Sequence, residues 1–278
     1  MSTEISASAV KQLREMTGAG MMDCKAALTE ANGNFDEAIE ILRKKGQKLS
    51  VKRADRDAKE GVVIAAVSDD KKHGVVIKLS CETDFVAKNE DFVNLAKDFA
   101  QIALHNTPTD REALLALPYK DITIGEKVTE QVGVIGEKIE LAEYEKLAAD
   151  QVVYYIHMGN RAGVIVGLNE TSEDAGVAGK NVAMQVAAMK PVAVDKDGVD
   201  AATIAKEIEI GKEVARQEGK PEEMLEKIAM GKLNKFYQEN TLLNQSYVKG
   251  DGKQSVRDYL SSVDKELTVT GFKHVALG

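Results

Sequence analysis

An internal repeat constrains the fold of this chain more than any other feature. Residues 74–83 (GVVIKLSCET) return in similar form as residues 163–171 (GVIVGLNET). Each copy is an apolar run typical of a buried strand, follows a polar stretch typical of a turn, and precedes a pattern typical of an apolar helix. The repeat therefore predicts two related units of strand, turn, strand and helix, which gives an α+β fold with duplicated core subdomains.

The two copies differ in the connection between the strand and the helix. When the helices are aligned on each other, the first copy is several residues longer, and the extra length falls on residues 84–87 (DFVA). Phe85 in this stretch can pack under the following helix as core, which is the commoner role of an isolated phenylalanine. It can instead project as a wedge that contacts a partner, because binding residues concentrate in loops on a rigid scaffold. An addition to a repeated scaffold favours the second interpretation.

The first 45 residues predict a compact three-helix module. Gly18 ends the first helix, Gly33 closes the second, and Asn34 begins the third. Met21 and Met22 follow the glycine turn, and neighbouring helical residues point in different directions. We expect at least one of these methionines to fill the small core and an exposed one to provide an adaptable contact.

The rest of the chain divides into recognisable segments. The charged stretch 44–60 predicts a solvated linker or helix, and a turn at 133–138 leads into a short strand at 139–141 before a polar bridge. Residues 201–239 predict an antiparallel helical hairpin with two apolar stripes. The stripes comprise Ile204, Ile208, Gly211 and Ala215 on one helix and Leu225, Ile228, Lys232, Lys235 and Phe236 on the other. The predicted domains are 1–54, 55–146 and 147–278, with the hairpin inserted at about 199–240.

Composition limits the classes of function. The chain has 278 residues, a formal net charge of -8 and a pI near 5.3, which argues against binding to a phosphate backbone as its main role. Cys24 and Cys81 are far apart and indicate reduced thiols. No apolar run reaches the ~18 residues of a membrane span. Residues 1–4 show neither a signal nor a transit peptide, so we expect a cytoplasmic protein.

The sequence contains no constellation typical of an enzyme. No serine, cysteine or threonine lies in a nucleophile motif, and no dinucleotide fingerprint or phosphate loop is present. The four histidines and two cysteines show no metal-ligand spacing, so neither a metal nor a cofactor is expected. These observations favour a protein that acts by binding.

Several motifs resemble the bacterial elongation factor Ts family. They are residues 10–28 (VKQLREMTGAGMMDCKAAL), the 83–88 segment (TDFVAK), His157 in its glycine context, and Gly219-Lys220-Pro221 followed by Lys235-Phe236-Tyr237. They occur in the family's order over nearly the whole chain. The resemblance implies a ubiquitin-associated-like N-terminal domain, two related α+β subdomains and a protruding coiled-coil hairpin. It also implies a nucleotide exchange factor for elongation factor Tu.

The resemblance assigns roles to particular residues. Asp84 and Phe85 would enter the partner's G domain near the nucleotide-bound Mg²⁺, with Thr83 and Val86 in the same segment. Other partner contacts would come from Arg14, Met21, Met22, Lys25, Ile135, Gly136 and His157. No direct contact with nucleic acid and no membrane contact is implied, and a homodimer through the core or the hairpin stays open.

Two alternatives come from other classes of protein. The three-helix module by itself also fits an adaptor that binds ubiquitin-like proteins or peptides. A metabolic enzyme could assemble its site from scattered residues, in which case a large closed pocket lined by titratable groups would be expected. The adaptor alternative leaves residues 84–87 and the duplicated core unexplained, and for the enzyme alternative we expect no such pocket.

Overall fold

The computed structural model describes residues 5–278, so residues 1–4, where the sequence shows no targeting signal, lie outside the described residues. The chain forms two compact units. The first comprises the chain up to Ile64, Ile77–Glu145 and Ala276–Gly278, and the second comprises Ala65–Val76 and Lys146–Val275. The division into domains 1–54, 55–146 and 147–278 stays a prediction.

The secondary structure is mixed, as the sequence predicts. The α-helices are α1 (Ala7–Thr17), α2 (Met21–Glu30), α3 (Phe35–Arg53), α4 (Asp84–Ala87), α5 (Glu90–Asn106), α6 (Arg111–Leu115), α7 (Ile124–Ile135), α8 (Glu173–Met189), α9 (Ala201–Gln217), α10 (Glu222–Asn240) and α11 (Val256–Val263). The strands are β1 (Glu60–Val67), β2 (His73–Cys81), β3 (Pro118–Tyr119), β4 (Ile122–Thr123), β5 (Glu140–Ala148), β6 (Gln151–His157), β7 (Ala162–Leu168) and β8 (Val269–Ala276). No helix among residues 5–278 is long and apolar enough to cross a membrane.

The sheets confirm the internal repeat. One three-stranded sheet has the order β1-β2-β5, and a second has the order β6-β7-β8. In each, the first two strands are consecutive in the chain, the middle strand leads to a long helix (α5 or α8), and a later strand completes the sheet. The middle strand β7 is buried along its whole length. The fold is therefore α+β with a duplicated core.

Helices α1, α2 and α3 form the N-terminal module. Its core contains Leu13 from α1, Cys24 and Leu28 from α2, and Ala38 from α3. The expectation that Met21 or Met22 fills this core is wrong, because their side chains are 45% and 77% exposed. Both lie in the first turn of α2, where side chains point back beyond the helix end, and the buried face of α2 begins at Cys24.

Helix α3 continues beyond the module and packs along α7. The charged stretch predicted as a linker or helix is helical as far as Arg53. Gly46 of α3 lies against Gly133 of α7, where an added Cβ on Gly133 would stand 2.9 Å from the Cα of Gly46. Such contact between backbones is available only to glycine. The pair therefore determines how closely α3 can approach α7.

The polar bridge predicted after residue 141 is in fact part of β5. Leu141 and Tyr144 of this strand are buried, whereas four of its other positions carry the charged residues Glu140, Glu143, Glu145 and Lys146. Glu143 forms an ion pair with Lys78 on the neighbouring β2. Pairing with a strand that is distant in sequence therefore stabilises a segment whose own pattern is polar.

Helices α9 and α10 form the predicted hairpin. Gly211 and Ala215 of α9 are buried as expected, but the buried stripe of α10 consists of Leu225, Ala229 and Leu233. The predicted stripe through Lys232 and Lys235 is wrong beyond Leu225, since Lys235 is exposed. A Cβ on Gly211 would lie 3.0 Å from the Cα of Ala229, so small residues at this crossing bring the helices together.

Candidate partner-binding site

The segment Thr83–Val86, which we name the tip loop, projects from the first unit. It lies in the connection 82–89 between β2 and α5, whereas the connection 169–172 between β7 and α8 is half as long. The side chain of Phe85 is 83% exposed, and Ala87 at the end of the one-turn helix α4 is buried. The core placement of Phe85 is therefore excluded. An aromatic ring so exposed on a short, anchored turn is suited to insertion into another molecule.

The carboxylate of Glu137 holds the start of the tip loop. One oxygen accepts hydrogen bonds from the backbone N–H groups of Glu82 (3.1 Å) and Thr83 (3.0 Å). The other accepts from the Thr83 hydroxyl at 2.7 Å. Thr83 is the N-cap of α4, but its side chain makes no capping bond. The usual contribution of a threonine cap is replaced by a bond to a residue distant in sequence.

The side chain of Glu82 forms the opposite half of this contact. It accepts a hydrogen bond of 2.6 Å from the backbone N–H of Lys138 and one of 2.7 Å from Arg53, and Arg56 lies 3.4 Å away. Burial acts to raise the pKa of Glu82, but the bonds from Lys138 and Arg53 and the charges of both arginines lower it overall. Glu82 is thus held in its ionised form, linked to the end of α3.

Lys138 extends the same network. Its ammonium group donates to the carbonyl oxygens of Ala54 (2.8 Å) and Arg56 (3.0 Å), just after α3. Three separate pieces of chain therefore meet at the base of the tip loop: the end of α3, residues 82–83, and residues 137–138. All of them belong to the first unit.

Within the tip loop, Asp84 is paired locally. Its carboxylate accepts a hydrogen bond of 2.5 Å from the ammonium group of Lys88, one helical turn later. That bond lowers the pKa of Asp84, and the positive charge of Lys88 acts in the same direction. Asp84 is therefore negatively charged at neutral pH and remains partly exposed beside Phe85.

The sequence-predicted residues of the N-terminal module are all on its surface. Arg14 on α1 and Met21, Met22 and Lys25 on α2 are exposed. Met16 near the end of α1 is 57% exposed and was missed by sequence reasoning. Its exposure could have been inferred from the sequence, because position 16 does not lie on the helix face that contains the buried residues Val10 and Leu13. Exposed methionines on either side of one turn form an adaptable apolar surface.

Ile135 and Gly136 end helix α7. Gly136 has φ 80°, the left-handed conformation that favours glycine, and its N–H donates to the carbonyl of Val132. Because Glu137 comes next and bonds to Thr83, the structure brings these two predicted residues to the base of the tip loop. The importance of Glu137 itself was not apparent in the sequence, where it is one of many charged residues.

His157 belongs to the second unit. It is the last residue of β6, and its Nδ1 lies 2.9 Å from the hydroxyl of Tyr155. The turn that follows places Met158, Gly159 and Asn160 at φ values of 47°, 62° and 68°. Met158 is 72% exposed at this turn and was also missed. His157 is thus a partly buried histidine with a side-chain partner, next to an exposed methionine.

The two thiols are not suited to nucleophilic chemistry. Cys24 and Cys81 are both free and buried. Burial raises the pKa of Cys81 to about 12, and the negative charge of Glu137 acts in the same direction. A thiol with such a pKa is protonated at neutral pH, whereas the thiolate is the reactive form.

Comparisons with known proteins show which family the chain resembles. The family model described as Elongation factor TS matches residues 82–278, beginning at the residue before the tip loop. A curated Elongation factor Ts from Christiangramia forsetii is 56% identical over 275 residues, 99% of each chain. Proteins of the same name from Flavobacterium psychrophilum and Cytophaga hutchinsonii are each 52% identical, over 99% and 100% of each chain. The similarity to these relatives therefore includes the N-terminal module.

Proposed function

The chain belongs to the elongation factor Ts family, and from this we propose that it is a guanine nucleotide exchange factor for elongation factor Tu. It binds the GDP-bound form of that GTPase and promotes release of GDP, which supports translation elongation. It makes and breaks no covalent bond, so its activity is binding rather than enzymatic catalysis. This role places it in the cytoplasm, as the sequence predicts.

The exposed side chain of Phe85 is the observation that carries this proposal. The ring is 83% exposed although it follows a strand whose last residue, Cys81, is fully buried. Leaving a phenylalanine in water forgoes a stabilisation of about 1.5–3 kcal/mol that burial would provide. A partner that buries the ring recovers that free energy on binding. Phe85 is thus placed to act as an anchor in an interface.

The mechanism is mechanical displacement near the partner's metal ion. Asp84 and Phe85 would enter between helices of the G domain, close to the Mg²⁺ that bridges the protein and the GDP phosphates. Mg²⁺ demands near-ideal octahedral geometry, so a small displacement of its surroundings weakens its hold on the nucleotide. Thr83 and Val86 belong to the same segment and support the two inserted residues.

Other surfaces would fix the orientation of the complex. Arg14, Met21, Met22 and Lys25 would dock the N-terminal module on the G domain, and their exposure is consistent with that role. Ile135, Gly136 and His157 would press near the nucleotide site. A homodimer through the core or the hairpin remains a prediction, as does the absence of direct nucleic-acid contact.

Binding linkage requires that exchange is reciprocal. If the factor lowers the affinity of the GTPase for GDP, GDP lowers the affinity of the GTPase for the factor by the same ratio. A stable complex of the two proteins should therefore dissociate when GDP is added. An adaptor of the ubiquitin-associated type would show no such dependence on nucleotide.

The test is the release of a fluorescent GDP analogue from elongation factor Tu. The wild type is expected to accelerate release, and Phe85→Ala is expected to lose on the order of 2 kcal/mol of the interaction that drives it. Val177→Ala is a matched control, because Val177 is 59% exposed on α8 of the second unit, whereas the tip loop belongs to the first.

The outcomes separate the parts of the proposal. If the wild type fails to accelerate release, the exchange function is wrong. If the wild type and Phe85→Ala accelerate it equally, the protein is an exchange factor whose mechanism does not depend on the tip loop. A loss with Val177→Ala equal to that with Phe85→Ala would show that exposed apolar surface in general is responsible.

A further inference from the structure

We propose that Glu137 is the positioning residue of the tip loop, fixing the backbone from which Asp84 and Phe85 project. Its carboxylate uses both oxygens, accepting from the N–H groups of Glu82 and Thr83 and from the Thr83 hydroxyl at 2.7–3.1 Å. This inference rests on the proposed exchange function, which makes the position of Phe85 important.

The tip loop cannot hold its own position. Helix α4 has four residues. An isolated helix of that length is unstable in water, because ordering the first turn costs more free energy than its hydrogen bonds supply. Its threonine N-cap makes no capping bond. Phe85 is exposed, so packing of the ring does not orient it in the free protein. The burial of Ala87 anchors the end of the turn, and the external bonds at residues 82 and 83 hold its start.

The second copy of the repeat shows which of these bonds is specific to the tip loop. In both copies, the side chain of the first residue after the middle strand accepts a hydrogen bond. The donor is a backbone N–H group in the segment just before the third strand. The bond runs from Lys138 N–H to Glu82 at 2.6 Å in the first copy and from Thr268 N–H to Asn169 at 2.7 Å in the second. That bond is therefore a common feature of the fold.

Glu137 has no such counterpart. It precedes Lys138, and the residue that precedes Thr268 is Leu267, which is 3% exposed and packs in the core of the second unit. A leucine side chain has no atom that can accept a hydrogen bond. The copy with an extended connection thus has a carboxylate where the copy with a short connection has a buried leucine. This difference associates Glu137 with the tip loop and not with the shared architecture.

The bonds of Glu82 extend this positioning to the N-terminal module. Glu82 accepts from Arg53 at the end of α3, and the Lys138 ammonium group donates to the carbonyl of Ala54. The end of α3 and the residue after it are therefore hydrogen-bonded to Glu82, which precedes the tip loop, and to Lys138, which follows Glu137. Docking of the module and insertion of Phe85 are joined through one rigid network.

The decisive variant is Glu137→Leu, which places in the first copy of the repeat the residue type found at the equivalent position of the second copy, Leu267. In GDP release from elongation factor Tu, we expect the saturating rate to fall about tenfold while the half-saturating concentration changes less than about threefold, because the docking surface is intact and only the inserted residues lose their order. Glu209→Leu is the control, the same change at an exposed position on α9. It is expected to match the wild type.

A double-mutant cycle distinguishes positioning from a general loss of stability. If Glu137 acts through Asp84 and Phe85, Glu137→Leu has a much smaller effect on the rate once Phe85→Ala is present than it has in the wild type. Effects that multiply would overturn the inference, as would a saturating rate equal to that of the wild type. If the wild type itself does not accelerate release, the proposed exchange function is wrong. The role of Glu137 in positioning is then still tested by the next measurement.

That measurement is independent of the partner. The sequence contains no tryptophan, so Phe85→Trp places a single fluorophore at the tip. Adding Glu137→Leu is expected to increase the amplitude of the fast, nanosecond component in the anisotropy decay relative to Phe85→Trp alone, because backbone motion is added to the motion of the exposed ring. An identical decay in the two proteins overturns the inference. Should Glu137→Leu fail to fold, Glu137→Gln, which keeps one acceptor oxygen, is expected to show a smaller change in the same direction.

Discussion

Gly46 and Gly133 face each other where α3 crosses α7, and neither position has room for a side chain. A Cβ on Gly133 would lie 2.9 Å from the Cα of Gly46, and one on Gly46 would lie 3.1 Å from the carbonyl oxygen of Thr129. Helix α7 ends two residues later at Ile135, and Glu137, which bonds to the tip loop, follows it closely. The close crossing therefore contributes to the position of the proposed binding site.

Gly133→Ala should destabilise the protein. The atoms that the new methyl group would meet are backbone atoms, so the helices must separate, which costs on the order of 1–3 kcal/mol. The midpoint of urea unfolding checks this. Gly231→Ala is the matched control, since a Cβ there would meet nothing within 4 Å in the interior of α10. That change should stabilise by about 0.5–1 kcal/mol. Equal effects of the two substitutions would contradict the account.

Met21→Ala combined with Met22→Ala should weaken binding without changing stability. Both side chains are exposed, so their removal costs little in the free protein. If they are contacts of the N-terminal module, each loss is expected to cost about 1 kcal/mol in the complex. Titration calorimetry with elongation factor Tu measures the affinity, and thermal unfolding measures the stability. A lowered melting temperature with unchanged affinity would assign them to the core instead.

The contribution of Glu82 to stability should disappear in acid. Its pKa is lowered from 4.5 in the folded protein, so the unfolded chain binds more protons as the pH falls. The contribution is present above about pH 4.5 and is lost as the pH falls through the folded pKa. The gap in unfolding free energy between wild type and Glu82→Gln should therefore narrow as the pH falls below about 4.5. A gap that is constant with pH would show that charge is not involved.

Cys81 should resist alkylation until the protein unfolds. Its pKa is raised to about 12 and its side chain is buried, so neither the thiolate nor access is available near neutral pH. Iodoacetamide followed by mass spectrometry should label the thiol in urea but not in buffer. Rapid labelling of Cys81 in the native protein would show that β2 opens at the base of the tip loop.

Much of the architecture follows from local patterns. The repeat at residues 74–83 and 163–171 predicted the related pairs of strands and their helices, because buried strands and amphipathic helices leave clear periodicities. Strand β5 was largely missed because charged residues such as Glu143 are stabilised by Lys78 on β2, a partner that is distant in sequence. Patterns within one segment do not report such pairing.

The candidate site was predictable only in part. The extra length around Phe85 indicated a projecting residue, and the ring is exposed. The role of Glu137 could not be foreseen, because it depends on a turn that brings a charged residue back to Thr83, which lies 54 positions earlier in the chain. The error at Met21 and Met22 arose because helical periodicity does not show where the buried face of a short helix begins.

The short connection between β7 and α8 has a consequence for valency. A duplicated fold would ordinarily present two equivalent ends, each able to engage a partner in the same way. Here the second end stops at residues 169–172, and only the first has the length to project an aromatic ring. The duplication therefore gives the chain a larger body without a second point of insertion, and each copy of the protein should act on one GTPase at a time.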